Sequence, residues 1–214
     1  MIARAVSARL DAVTIDAYGT LVTLLDPLPP LRDALRRHGV ERDLSQVAKG
    51  FRAEMDYYVE RSHEGRDEAT LALLRRDCAG VFLRCVGAEI DPGEFVDAFI
   101  ASLRFAPVDG AAEACRALAA RGLRLAVVSN WDVGLHGHLA RLELEGLFDA
   151  VVTSAEAGAP KPDPAVFLLA LERLGVPPRH AAHVGDSQAD EEGARAAGVR
   201  FVPAPLADAV RSLA

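Results

Sequence analysis

Short apolar runs that each stop on a polar residue, a glycine or a proline, separated by stretches of helical periodicity, constrain this chain more than any single residue does. The runs cover 12–15, 124–128, 150–153, 181–184 and 199–202. The first stops at Asp16, the second at Ser129-Asn130, the third at Ser154, the fourth at Gly185-Asp186 and the last at Pro203. Amphipathic patterns run between the later strands, over about 110–120, 133–144, 163–174 and 189–197. Several have glycine just past the end: Gly122, Gly146, Gly175 and Gly198. Strands alternating with helices at this length predict crossover units, and so an α/β fold with a parallel sheet and helices on both faces.

The stretch 24–104 breaks that alternation. It carries helical patterns over about 30–38, 44–61, 68–86 and 92–103 and no convincing strand. About eighty helical residues inserted straight after the first strand predict a small bundle over the sheet edge, acting as a lid. The expected division is therefore a core domain of residues 1–23 and 105–214 with a helical cap of residues 24–104.

Composition narrows the function. The chain has 214 residues, half of them hydrophobic, which is enough for one domain with a subdomain. A formal net charge of −7 argues against nucleic acid, which requires a basic surface. Charges interrupt the apolar residues of 1–11, so no signal-peptide core is expected, and no later uncharged run approaches a membrane span. The three cysteines, Cys78, Cys85 and Cys115, have no CxxC spacing; all are expected to pack in the core, and a reducing cytoplasm fits them. No oligomeric state is legible. Lysine occurs only at positions 49 and 161, so Lys161, in a loop after the third run, stands out where its compact charge is needed.

A parallel sheet brings the ends of its strands to one crevice, where ligands bind. That crevice would collect Asp16 with Thr20, Ser129 with Asn130, Lys161, and Asp186 with Asp190. Asp16 is the candidate nucleophile. Three carboxylates and one lysine leave a charge of −2, and like charges that close force protonation. A divalent cation restores the balance, and an all-oxygen site suits Mg²⁺ better than zinc. His136, His138, His180 and His183 are read as lying outside the constellation. A carboxylate nucleophile, Mg²⁺, a lysine and a hydroxyl are the parts that phosphoryl transfer through an aspartyl-phosphate requires, with Lys161 and Ser129 on the equatorial oxygens.

With those residues in view, the chain resembles the haloacid dehalogenase (HAD)-like hydrolase superfamily, in the subclass with a helical cap. Asp16-Ala17-Tyr18-Gly19-Thr20-Leu21 is similar to its first motif and Val128-Ser129-Asn130 to its second. Lys161-Pro162-Asp163-Pro164 is similar to the third, and Gly185-Asp186-Ser187-Gln188-Ala189-Asp190 to the fourth. The resemblance implies a Rossmann-like core, Asp16 as nucleophile, and Ser129 and Lys161 binding the transferring group, with Thr20 and Asn130 beside them. It also implies Mg²⁺ held by Asp16, Asp186 and the main-chain carbonyl of Tyr18, with Asp190 supporting that shell. The substrate is expected to be a small phosphate ester.

One departure bears on activity. Phosphatases of the family carry a second Asp two residues after the nucleophile, as acid and then base; here it is Tyr18. Dehalogenases of the family share Asp-Ala-Tyr-Gly-Thr and expel a halide that needs no proton, so a metal-independent 2-haloacid dehalogenase is one alternative. Those enzymes replace the metal-binding Asp of motif four, whereas Asp186 is retained. A catalytically weak binding or regulatory protein is the other alternative. Among the polar residues of the insertion, Arg52, Tyr57, Tyr58, Arg61, His63 and Arg66, a solvated face explains the pattern as well as a binding role.

Overall fold

A computed structural model describes residues 9–213. The expectation about a signal sequence rests mainly on residues that lie outside them. Five strands, β1 (Ala12–Ile15), β4 (Arg124–Ser129), β5 (Ala150–Thr153), β6 (Ala181–Gly185) and β7 (Arg200–Pro203), form one parallel sheet in the order β5-β4-β1-β6-β7. A separate antiparallel pair, β2 (Val22–Leu24) and β3 (Phe105–Pro107), brackets the four inserted helices. Those helices are α1 (Leu28–Arg37), α2 (Leu44–Arg61), α3 (Glu68–Val86) and α4 (Pro92–Ser102). The remaining helices are α5 (Ala111–Ala119), α6 (Leu135–Arg141), α7 (Ser154–Ala157), α8 (Ala165–Leu174), α9 (Gln188–Ala196) and α10 (Leu206–Ser212).

Alternation along the strands makes the two layers. Val13, Ile15, Leu125, Val127, Ala182 and Val184 face α5, α6 and α10 in one apolar cluster. Ala12, Ala126, Val128 and Val152 face α8 and α9 in another. The inserted helices bury a third cluster of their own, with Leu31, Leu35, Phe82, Phe95 and Phe99 fully enclosed. Each such side chain contributes about 1.5–3 kcal/mol. Asp43 and Asp67 start α2 and α3 with capping boxes, which is why these two helices begin where the sequence pattern places them.

Three details depart from the sequence reading. The pattern over 133–144 yields a helix of only Leu135–Arg141, since Glu143 adopts a positive φ of 57° and the chain continues into a short turn of helix at Glu145–Leu147. The short strands β2 and β3 and the short helices α7 and α10 carry too few residues to show a period. Cys85 is exposed, while Cys78 and Cys115 are buried. The buried side of α3 shifts to Phe82, Leu83 and Val86 in its last turns and leaves Cys85 outside, although seven residues nearly complete two turns. Among the described residues, no helix is long and apolar enough to cross a membrane.

Candidate active site

Register positions the site. Ile15 pairs with Val127 on one side and Val184 on the other, so β1, β4 and β6 end within two residues of one another. Asp16 therefore leaves the sheet beside Ser129 and the Gly185-Asp186 turn. Asp16 is 5% exposed, and the backbone after it doubles back at once, with Gly19 N donating to Val22 O at 2.9 Å. Gly19 has a φ of +84°, and a Cβ there would sit 2.1 Å from Asp186 Oδ2. Only glycine lets the fourth-motif carboxylate lie against the first-motif turn.

Lys161 Nζ lies 2.5 Å from both Asp16 Oδ1 and Asp190 Oδ1 and donates to the Val128 carbonyl at 3.2 Å. Ser129 Oγ is 3.4 Å from the same Asp16 oxygen. Asn130 spends both ends of its amide on the Lys161 backbone, accepting from Lys161 N at 2.6 Å and donating to Lys161 O at 3.1 Å. Its side chain thus holds the lysine loop, and the residue lines the cavity above the strand ends. Thr20 is not in the cavity wall: it is 1% exposed and its hydroxyl has no partner among the described residues.

Asp190 is saturated. Its Oδ1 receives Lys161 and the His183 ring (Nε2, 3.0 Å), and its Oδ2 receives Ser187 N at 3.1 Å and Ser187 Oγ at 2.6 Å. His183 is fully buried, and its Nδ1 is 2.9 Å from Thr14 Oγ1. Burial holds that imidazole below its usual range, so a neutral ring donates from Nε2 and accepts at Nδ1. This corrects the expectation that no histidine belongs to the constellation. Its sequence signal is only that His183 and Thr14 are polar in strands otherwise apolar; their pairing comes from register.

Electrostatics follow burial. Burial pushes the Asp16 carboxyl up to about 6, opposed by Lys161 and assisted by Asp190 and Asp186. Burial and Asp190 also raise Asp186. Burial works to raise Asp190 too, but His183 and Lys161 outweigh it and hold that carboxyl low. Lys161 loses to burial and regains more from Asp16 and Asp190, so its ammonium is held above its usual range. Carboxylate oxygens of Asp16, Asp186 and Asp190 lie within 4.8 Å of one another. With both Asp190 oxygens engaged, Asp16 and Asp186 are the two with ligand capacity to spare. Hard oxygen donors at this separation, left with excess negative charge, fit a divalent cation such as Mg²⁺.

Above this edge a cavity of about 390 Å³ opens between the sheet and the inserted helices. Asp16, Tyr18, Ser129, Lys161 and Asp186 line its floor, and Tyr18 is 47% exposed. Phe51, Met55, Leu74, Phe99 and Ile100 line the opposite wall. Of the six insertion residues singled out in the sequence only Tyr58 lines the cavity, and its hydroxyl donates to Asp132 Oδ2 at 2.9 Å. Asp132, buried two residues after Asn130, and Glu54, buried in α2, are cavity residues that the sequence reading missed.

A buried carboxylate at the end of the central strand, clasped by a lysine from a neighbouring loop under a helical insertion, marks an α/β protein with a hydrolase-like site at its sheet edge. The chain belongs to the haloacid dehalogenase-like hydrolase family, whose model matches residues 10–198. It is 36% identical over 205 residues to the human "Haloacid dehalogenase-like hydrolase domain-containing protein 3", covering 89% of this chain and 80% of that protein. The match to the mouse counterpart is shorter, 109 residues and 43% of that protein. It is 36% identical over 213 residues to "Phosphoglycolate phosphatase" of Rhodospirillum rubrum, covering 89% of this chain and 78% of the relative. Among solved structures, L-2-haloacid dehalogenase of Xanthobacter autotrophicus superposes with a TM-score of 0.66 at 29% identity, covering 90% of this chain and 76% of that one.

Proposed function

We propose that the protein is a Mg²⁺-dependent phosphatase that cleaves a small phosphate ester through an aspartyl-phosphate on Asp16. Asp186 lying against Gly19 carries this reading, because it puts a second carboxylate beside the nucleophile where a cation is needed. Phosphatase-named relatives point the same way. Residues 1–23 and 105–214 would be the core domain and 24–104 the cap, in keeping with the separate apolar cluster of α1–α4.

An Asp16 oxygen attacks phosphorus, forming an O–P bond as the ester P–O bond breaks and the alkoxide leaves. Lys161 and Ser129 hold the equatorial oxygens, and Asp190 with His183 keeps Lys161 aimed. Asn130 fixes the backbone of the lysine loop. Asp16, Asp186 and the Tyr18 carbonyl would hold the cation, which when bound neutralises charge on the carboxylate and the phosphoryl group. Water then attacks phosphorus as the Asp16 O–P bond breaks; the proton it loses to solvent balances the one the departed alkoxide takes up, and inorganic phosphate leaves with Asp16 restored.

Tyr18 sets the pace. A phenol donates a proton but is a poor base at neutral pH, so breakdown of the phosphoenzyme is slow and good leaving groups are preferred. The test is turnover of aryl, acyl and alkyl phosphates with and without Mg²⁺, combined with trapping of phosphate on Asp16. Mg²⁺-dependent labelling of Asp16 is expected; alkyl esters turned over as fast as by a relative with Asp at this position would refute the role given to Tyr18. A second reading rests on the shared Asp-Ala-Tyr-Gly-Thr motif and the dehalogenase neighbour. Chloride release from 2-chloropropionate without metal would put it first.

A further inference from the structure

The wall of the cavity opposite the carboxylates has one feature the reaction does not use. Phe51, Glu54, Met55, Tyr58 and Val59 occupy one face of α2, at the spacing of an apolar helix stripe, and all five line the cavity. Glu54 is the acid in the middle of that stripe. It is 3% exposed, and its Oε2 has no hydrogen-bond partner among the described residues. Cys78 of α3 lines the cavity with it, and a lone thiol cannot satisfy the four lone-pair positions of a carboxylate. A buried polar atom left unpaired is costly unless something completes it. Burial pushes this carboxyl up to about 7, as expected of an acid in an apolar wall.

The charges around it restrict the ligand. Arg75 and Asp132 also line the cavity and oppose one another, and burial pushes His138 down to about 4, leaving it neutral. Neither Glu54 nor Asp132 would welcome a second carboxylate. Building on the phosphatase reading, we propose that Glu54 is a specificity residue, receiving a hydroxyl or ammonium donor at the far end of an otherwise apolar leaving group. The substrate class is then a phosphate monoester of an apolar alcohol with a terminal donor, distinct from phosphorylated acids.

The chain has a single tryptophan, Trp131, and it lines this cavity, so binding is read by fluorescence independently of turnover. The probes are straight-chain alkyl monophosphates of equal length ending in methyl, hydroxyl, ammonium or carboxylate. Wild type is expected to bind the hydroxyl or ammonium ester about tenfold more tightly than the methyl ester, the size of one good hydrogen bond in a dry site. It is expected to bind the carboxylate ester most weakly. Glu54→Leu should bring the first three within about threefold of each other, and Glu54→Gln, which preserves shape if leucine disturbs folding, should lose the ammonium preference first. Equal binding of the four esters by wild type, or a preference for the carboxylate, would overturn the inference. Failure of the phosphatase reading shows separately, as discrimination in binding with no Mg²⁺-dependent release of phosphate from any ester.

Discussion

The floor and the roof of the cavity are built on opposite terms. On the floor each charged group answers to several others: Lys161 is shared by Asp16, Asp190 and the Val128 carbonyl, and Asp190 also holds His183 and Ser187. On the roof α2, α3 and α4 supply apolar surface, one engaged Tyr58–Asp132 pair and one carboxyl oxygen without a partner. A network in which each member satisfies several others cannot change one residue at a time without stranding a buried charge. Apolar surface can, because volume-conserving swaps there usually cost less than about 1.5 kcal/mol. The floor is therefore suited to a fixed reaction and the roof to a variable leaving group.

The contrast breaks most readily at Asp16. Asp16→Asn keeps the shape and removes the nucleophile, and turnover of every phosphate ester should fall by at least about 10³-fold with no labelled phosphoenzyme. Residual turnover above that, measured as phosphate release in Mg²⁺, would mean that the floor does not act through Asp16. Lys161→Met tests the network itself. It leaves Asp16 and Asp190 as buried acids without their cation, so unfolding free energy should drop by about 3–5 kcal/mol in urea titrations with EDTA present. A loss below about 1 kcal/mol would show the floor to be no more interlocked than the roof.

Much of the floor could be read in advance because its residues sit where strands must end. Asp16, Ser129 and Asp186 follow apolar runs, and a parallel sheet in register brings such positions together whatever the rest of the chain does. The partners across strands were not legible in the same way: nothing local to His183 announces Thr14, since their pairing depends on which strand lies beside which. Asn130 and Thr20 were placed in the right loops without their protein surroundings, because a motif locates a backbone and not the direction of a side chain. Glu54 left a trace, an acid at the centre of an apolar stripe over 51–59, which a solvated turn of helix would also have explained. Helices α2 and α3 began as expected because their capping boxes are local chemistry.

The roof yields the next effects. Burial pushes the Glu54 carboxyl up to about 7 in the folded chain against 4.5 when it is exposed, so between these values the folded state keeps a proton that the unfolded state has lost. Stability therefore falls as pH rises through that window, by up to about 3 kcal/mol in all. Asp16 adds a slope of the same sign, so the readout is the difference between wild type and Glu54→Gln in denaturant titrations at pH 5 and pH 8. The variant should gain on wild type at pH 8, and parallel profiles would show that Glu54 is hydrated. Tyr18→Asp should then raise turnover of alkyl phosphates about 10²-fold by supplying the base that phosphoenzyme breakdown lacks, and aryl phosphates should gain through the same step.

The smallest effect is expected where floor and roof meet. Tyr58 of α2 donates to Asp132, which also accepts from Gly134 N at 2.7 Å and feels Arg75. Tyr58→Phe removes one donor from a carboxylate that keeps others, and should cost about 1–2 kcal/mol of stability. Because the pair closes the cavity wall without reaching Lys161 or Asp16, kcat/KM should stay within about threefold of wild type, well short of the cost of losing an acid–base group. If kcat/KM drops tenfold while the unfolding curve does not move, the hydroxyl is touching substrate, and the line between a fixed floor and a variable roof has to be drawn above Tyr58.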